Sequence, residues 1–239
     1  MSTQFEFEFT DQVVLVAGAS GSLGTATVEH FHDAGATVCM SARNPPKDGK
    51  AATLLDEDRV QFYDADFTDE AAVASVFESL LEDHGRLDAL CSLVGSWRGG
   101  TPIDETGVDE FDFLLDVNLK TMFLAAKHAI PHLRASEGTL VTVSSRSSLG
   151  GGEGDGPYRA AKAGVRLLTE TIAAENRGSV RANAIMPSII DTPANRELLP
   201  DAAHQKWPTP DEIARTILFL CSDAASATSG AAVPVYGES

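Results

Sequence analysis

Short apolar runs alternate with stretches of helical periodicity from one end of the chain to the other. Gln12–Ala17 is the first run, followed by a glycine turn and a helical stretch to His32. Thr37–Ser41 and Val60–Tyr63 are two further runs, and a helical segment extends from about Asp69 to His84. Leu87–Val94 predicts another strand and Phe111–Leu133 a long helix. Thr139–Ser144 predicts a strand, Tyr158–Asn176 a helix, Val180–Ile185 a strand, Pro210–Cys221 a helix and Ala232–Val235 a last strand. Alternation of this kind predicts an α/β fold, a parallel sheet with helices on both faces. No internal repeat and no linker divides the chain, so residues 1–239 are read as one domain. Phe5-Glu6-Phe7-Glu8-Phe9 alternates with period two. An edge strand or a partner contact fits that pattern, but its phenylalanines are expected to pack on the chain's own surface.

Two constellations carry chemistry. The first is the turn Gly18-Ala19-Ser20-Gly21-Ser22-Leu23-Gly24, which leads from the first strand into the first helix. Glycines let backbone amides approach a pyrophosphate, and the helix N-terminus adds unpaired N–H groups and a favourable dipole. The second strand ends at Ser41-Ala42-Arg43. NAD-specific sites usually place a carboxylate there; Ala42 leaves room and Arg43 can pair with a 2′-phosphate, which favours NADP(H) over NAD(H). Asp66, beside Phe67 where the third strand ends, can accept from the adenine amino group or cap the helix that begins near Asp69.

The second constellation is Tyr158-Arg159-Ala160-Ala161-Lys162, with Ser145 thirteen residues upstream. A phenol and an ammonium four apart share one helix face. A neighbouring positive charge favours the phenolate, so Lys162 is expected to lower the pKa of Tyr158 toward neutrality. Ser145 follows an apolar strand into the cleft and can hold the oxygen that Tyr158 protonates. The glycine-rich stretch Gly150–Gly156 between them is read as a flexible wall. His128 and His132 have the spacing of metal ligands, but Pro131 lies between them and no third ligand is evident. They are read as helix-surface or subunit-contact residues, with no metal.

Over nearly its whole length the chain resembles the short-chain dehydrogenases/reductases. The landmarks are the Gly18–Gly24 turn, Asp66, Gly95, Asn118 in Val117-Asn118-Leu119, Ser145, Tyr158 with Lys162, and Pro187-Ser188-Ile189-Ile190-Asp191-Thr192. The resemblance implies a Rossmann-like doubly wound fold and a catalytic tetrad of Asn118, Ser145, Tyr158 and Lys162. It also implies that Thr192 and the backbone of Ile190, beside Pro187, hold the nicotinamide carboxamide, and that Lys162 binds the nicotinamide ribose. Gly95 would line the same cleft. In the family, helices corresponding to Phe111–Leu133 and Tyr158–Asn176 commonly form subunit contacts, which implies a homodimer or homotetramer. The chain departs from the family pattern at Ala17, in the spacing of Gly18, Gly21 and Gly24, at Ser92-Leu93-Val94 and at Ser188.

Locally, the Trp97 loop and the stretch from Ile190 to Pro210 are similar to dihydropteridine reductase, and Arg146 falls where that branch has a basic residue. Ser145, Ala42 and Arg43 disagree with that branch. Trp97, Arg98, Arg146 and Trp207 are candidate substrate residues suited to a planar or acidic molecule, and residues 191–207 are read as a mobile lid. The resulting expectation is reversible hydride transfer between NADP(H) and a small-molecule carbonyl or alcohol. A dihydropteridine (quinonoid) reductase and a non-catalytic cofactor-sensing regulatory protein are the alternatives. A pure sensor has no need of Ser145 and Tyr158.

Composition narrows the partners. The formal net charge is −17, from 35 acidic and 18 basic residues, which argues against nucleic acid or an anionic membrane. The first residues lack the basic start and continuous apolar core of a signal peptide, no run approaches membrane-spanning length, and a cytoplasmic protein is expected. Cys39, Cys91 and Cys221 are read as small buried hydrophobes rather than a disulfide framework. The acidic residues are spread along the chain, which suits either work at high salt, where screening relieves self-repulsion, or an ordinary acidic protein. On the high-salt reading the thermal midpoint rises between low and molar KCl; an unchanged midpoint leaves the ordinary acidic protein.

Overall fold

The structure is a computed structural model and describes residues 7–239. Its strands are β1 (Val13–Ala17), β2 (Thr37–Ala42), β3 (Val60–Asp64), β4 (Ala89–Ser92), β5 (Thr139–Val143), β6 (Arg181–Pro187) and β7 (Ala232–Val235). They form one seven-stranded sheet in the order β3-β2-β1-β4-β5-β6-β7, parallel at every pairing. All five residues of β1 are buried, because strands flank it on both edges and helices cover both faces.

Successive side chains of a strand point to opposite faces. Leu15 therefore joins Leu90, Leu140, Phe77 and Leu80 in one apolar cluster, while Val14 and Val16 join Phe31, Ile213 and Ile217 in another. The first cluster lies under α3 (Glu70–His84), α5 (Thr121–Ser136) and α6 (Gly156–Glu175); the second lies under α1 (Ser22–Asp33) and α8 (Pro210–Cys221). Three shorter helices complete the set: α2 (Gly49–Thr53), α4 (Val108–Leu115) and α7 (Pro193–Leu198). Strands β2 and β3 continue to one side of β1, and β4 to β7 to the other. The strand order thus reverses between β1 and β4, and a crevice opens beyond their carboxyl ends.

The long helix expected over Phe111–Leu133 is broken. α4 stops at Leu115, one π-helical turn covers Asp116–Lys120, and α5 begins at Thr121 and accommodates Pro131. β4 covers Ala89–Ser92 and is shorter than Leu87–Val94; just before it, the Asp88 carboxylate accepts from the Val13 backbone N–H (2.8 Å) and from Arg86 (2.9 and 2.6 Å). α2 and α7 are short helices that the hydrophobic pattern does not announce. Phe9 is fully buried edge-on to Phe31, with ring centroids 4.9 Å apart, and Phe7 tilts against Phe219 at 6.4 Å. These two phenylalanines pack on the chain's own surface as expected; Phe5 lies outside the described residues. The three cysteines are buried and free. No helix among the described residues is long and apolar enough to cross a membrane.

Candidate active site

The turn after β1 is shaped for close backbone approach. Gly18 has φ +87°, and a Cβ there would lie 3.0 Å from the Val94 nitrogen. A Cβ on Gly24 would lie 2.2 Å from the Gly18 oxygen, so α1 starts hard against the turn. The Gly18 and Ala19 amides donate to the Ser41 carbonyl (2.8 and 3.1 Å), which pins the turn to the end of β2. Gly21 is the N-cap of α1 and supplies no side-chain cap, leaving the first-turn N–H groups of Ser22, Leu23 and Gly24 for an anion. Ser20 is exposed on the same turn. These features fit a dinucleotide pyrophosphate.

On the adenosine side, Ala42 ends β2 and Arg43 is exposed. Asp66 accepts from the Thr68 amide (2.9 Å) and hydroxyl (2.7 Å) through Oδ1, and these bonds hold its carboxyl below the usual range. The N-cap of α3 is Asp69, not Asp66. The Phe67 ring is buried in the core, so only its main chain is left for a ligand.

Asn118, Gly95 and Lys162 meet at the centre of the crevice. Asn118 sits inside the π-helical turn, where the extra residue in the turn changes the direction of its side chain relative to an α-helix. Its amide donates to the Ser96 carbonyl (2.9 Å) and the Leu114 carbonyl (3.0 Å), and its Oδ1 accepts from the Ser96 N–H (3.1 Å). A Cβ on Gly95 would lie 2.8 Å from Asn118 Oδ1 and 3.0 Å from Lys162 Nζ, so only glycine leaves room for both groups. Lys162 is 4 % exposed, and its Nζ donates to the Val143 carbonyl at the end of β5 (3.0 Å). The Ser144 hydroxyl donates to the Lys162 carbonyl (2.8 Å) and ties β5 to α6.

Ser145 is buried and accepts from the Ser147 amide (3.1 Å), and its hydroxyl is near enough to the Tyr158 phenol to act on its pKa. Lys162 Nζ is 5.8 Å from the Tyr158 ring centroid. The net effect on Tyr158 corrects the expectation above. Burial raises the phenol above the ordinary tyrosine value, and the Ser145 hydrogen bond offsets this only in part. Lys162 is itself shifted by burial, from 10.5 down to about 8.

The glycine-rich stretch is tied at both ends, while Gly151–Glu153 between them are exposed. Arg159 Nε donates to Asp155 (2.5 Å), and its Nη1 reaches the Ser147 and Gly150 carbonyls (3.4 and 3.1 Å). The Gly100 amide donates to the Gly154 carbonyl (2.7 Å), joining this stretch to the Trp97 loop. A Cβ on Gly99 would lie 2.8 Å from the Gly154 oxygen and 3.1 Å from Trp97 Cζ2. Arg159 and the Gly100–Gly154 contact were not singled out from the sequence, although the i,i+4 spacing of Asp155 and Arg159 was there to be read.

The residues expected at the substrate side separate. Trp97 is 48 % exposed on its loop. Arg98 lies over the Phe113 ring, 3.5 Å from its centroid. Trp207 is buried and tilted against His204 at 4.7 Å, so it packs at the base of the 191–207 segment instead of facing outward. The Arg146 guanidinium turns to the Ser239 carbonyl (2.8 Å). Thr192 Oγ1 accepts from the Asn195 amide (3.2 Å) and caps α7, and Asn195 donates to the Ile190 carbonyl (2.8 Å). Pro187 ends β6. His128 and His132 stack on Phe77, with His128 3.5 Å from Glu70.

The Lys162 shift makes a prediction for stability. Below about pH 8 both the folded and unfolded chains carry the proton, and the folded chain bears the full cost of a buried charge. Between about 8 and 10.5 the folded chain has released a proton that the unfolded chain still holds, so this cost fades as pH rises. Lys162→Met is therefore expected to stabilise the cofactor-free protein at pH 7 by about 1–2 kcal/mol, with the gain shrinking toward pH 10.5. Thermal unfolding across that range measures it.

Comparison with known proteins agrees with this geometry. The family model described as Enoyl-(Acyl carrier protein) reductase matches residues 18–237. The chain is 34% identical to cis-4-hydroxycyclohexanecarboxylate dehydrogenase of Sinomonas cyclohexanicum, with 96% of each chain covered. It is 31% identical to meso-2,3-butanediol dehydrogenase of Serratia marcescens, covering 96% of this chain and 94% of that one. The structure of a short-chain type dehydrogenase/reductase from Mycobacterium ulcerans superposes with a TM-score of 0.89 at 25% identity, covering 97% of this chain and 90% of that one. With a family match over residues 18–237, relatives above 30% identity over nearly the whole chain and the same fold in a solved structure, the protein belongs to the short-chain dehydrogenase/reductase family of oxidoreductases.

Proposed function

We propose that this protein interconverts a small-molecule ketone and its secondary alcohol using NADP(H), with Tyr158 as the proton donor and acceptor. The observation that carries this reading is the meeting of Asn118 and the buried Lys162 at Gly95, with the Tyr158 ring centroid 5.8 Å from Lys162 Nζ and Ser145 near the Tyr158 phenol. When bound, the nicotinamide supplies or accepts the hydride. Reduction consumes that hydride and one proton and yields the alcohol.

The chain's own residues handle the proton and the positioning. Ser145 donates a hydrogen bond to the substrate oxygen. Tyr158 delivers its phenolic proton to the same oxygen in reduction and takes it back in oxidation. Lys162 has three N–H bonds, one directed at Val143; the others suit ribose hydroxyls and the solvent path past Asn118. Gly18, Ser20, Gly21, Leu23 and Gly24 cradle the pyrophosphate, and Arg43 pairs with the 2′-phosphate. Asp66, the Phe67 main chain and Gly95 line the adenosine and ribose. Ile190 and Thr192 take the carboxamide, since a hydroxyl that accepts from Asn195 still has its own proton to donate. Trp97 offers a flat apolar wall for the substrate. Relatives named for a cyclic and an acyclic secondary alcohol support that substrate class. Exposed Phe111, Phe123 and Leu167 on α4, α5 and α6 suit the contact of a homodimer or homotetramer.

Tyr158→Phe is expected to lower turnover by about 10²–10⁴-fold while leaving NADPH affinity unchanged; retained turnover refutes the assignment. Because burial holds the phenol protonated, ketone reduction should stay flat through neutral pH and fall only in the alkaline range, while alcohol oxidation climbs with pH. Profiles of kcat/KM in both directions measure this. Arg43→Ala should weaken NADPH binding roughly tenfold and leave NADH binding unchanged. An NADPH-consumption screen over ketones, ketoacyl thioesters, sugars and pterins names the substrate and tests the pteridine alternative.

A further inference from the structure

Arg146 follows Ser145 directly, yet its guanidinium serves residues 236–239. Nη1 donates to the Ser239 carbonyl at 2.8 Å, and the guanidinium carbon stands 5.0 Å from the Tyr236 ring centroid, within cation–π range. The same short stretch is bonded to two other parts of the cleft. Ser188 Oγ donates to the Tyr236 carbonyl (2.9 Å), and Ser239 Oγ donates to Ser188 Oγ (2.8 Å). The Glu238 amide donates to the Lys206 carbonyl (2.8 Å). Gly237, at φ +61°, passes so close that a Cβ there would lie 2.5 Å from the Lys206 oxygen. Residues 236–239 therefore join the segment after β5, the turn after β6 and the far end of residues 191–207.

That far end is held firmly, and the middle is not buried. The Asp191 amide donates to the Pro208 carbonyl (2.9 Å), which closes the base of the 191–207 loop, and Trp207 is buried beside it. Asp191 also holds Arg196 through both carboxylate oxygens (2.5 and 2.7 Å). Between these anchors Leu198 and Leu199 stand exposed, two large apolar side chains on a segment that starts at Thr192. A loop clamped at its base and apolar at its crest can lay that crest against a bound molecule only if the base stays in register with Ser145.

We infer that Arg146 is a positioning residue: through residues 236–239 it fixes the far end of the 191–207 segment and so sets how firmly that segment holds a substrate over Ser145 and Tyr158. The substrate half of this statement rests on the proposed reaction; the anchoring half does not. The test uses the full chain with Arg146→Ala, Arg146→Lys and Gly237→Val. Ser188→Ala, which breaks the second attachment without backbone strain, is a further variant in case Gly237→Val does not fold. Amide hydrogen exchange over residues 193–206 reads the anchoring, and kcat, KM for the ketone and NADPH affinity read the consequence.

In Arg146→Ala and Gly237→Val, exchange in 193–206 should quicken about tenfold while β1 and β5 stay protected. KM for the ketone should rise about fivefold, the effect of one lost hydrogen bond of ordinary strength, with kcat and NADPH affinity held within about twofold. Arg146→Lys, which keeps a donor for the Ser239 carbonyl, should recover part of both effects. A raised KM in Arg146→Ala alone, with Gly237→Val and Ser188→Ala unchanged, would mean that Arg146 touches the substrate itself and overturns the proposal. Unchanged exchange in 193–206, or exchange that quickens equally across the whole sheet, overturns it too. Because exchange needs no turnover, a protein that reduces no ketone would sink the proposed reaction and still leave the anchoring to be decided.

Discussion

A buried ammonium that pairs with no carboxylate among the described residues is the constraint around which this site is arranged. Lys162 lies at 4 % exposure against one backbone carbonyl, that of Val143. Burial of this kind disfavours charge, and it leaves the group poised to give up its proton near the pH where the enzyme would work. Everything nearby follows from leaving room for it. Gly95 must lack a Cβ, Asn118 must be carried by a π-helical turn to reach Ser96, and Ser144 must tie β5 to α6 so that Val143 and Lys162 stay in register. A single α-helix running through residue 118 would aim the amide elsewhere.

The Tyr158 phenol shows how one motif can be read correctly in place and wrongly in effect. Spacing alone puts Tyr158 and Lys162 on one helix face, and so they lie. The effect of one on the other depends on how much water each has lost. Both are removed from solvent far enough that desolvation dominates, raising the phenol and lowering the ammonium. The two groups are moved toward their neutral forms, which makes Tyr158 first of all a proton donor.

Much of the architecture was legible because parallel strands buried on both faces write themselves as unbroken apolar runs. Gln12–Ala17 and Thr139–Ser144 are found within a residue of β1 and β5. The glycine turn and the Tyr158–Lys162 pair were legible because backbone geometry and helix spacing leave few residue choices. What escaped depended on contacts between segments distant in sequence. The break at Asp116–Lys120 has no periodic signature, since its neighbours on both sides are helical. Gly150–Gly156 reads as loose in isolation, yet its ends are tied, because Gly154 meets Gly100 and Arg159 reaches back to Gly150. Arg146 and Trp207 stand near the cleft in sequence terms, but residues 236–239 and the base of the 191–207 loop decide where their side chains go.

The strand order also bears on how the protein is made. β1 is the first strand among the described residues, and it lies inside the sheet, third from the β3 edge, between β2 and β4. As the chain emerges from a ribosome, β1, β2 and β3 can pair as soon as residue 64 is available, but the other edge of β1 stays bare until residues 89–92 arrive. That edge is an apolar strand with unsatisfied backbone groups, an open template for any neighbouring strand. About 25 residues separate β3 from β4, most of them α3, and at ordinary synthesis rates they appear within a few seconds. The placement of one strand thus sets a short interval in each molecule's birth when the future cofactor crevice is an unprotected sheet edge.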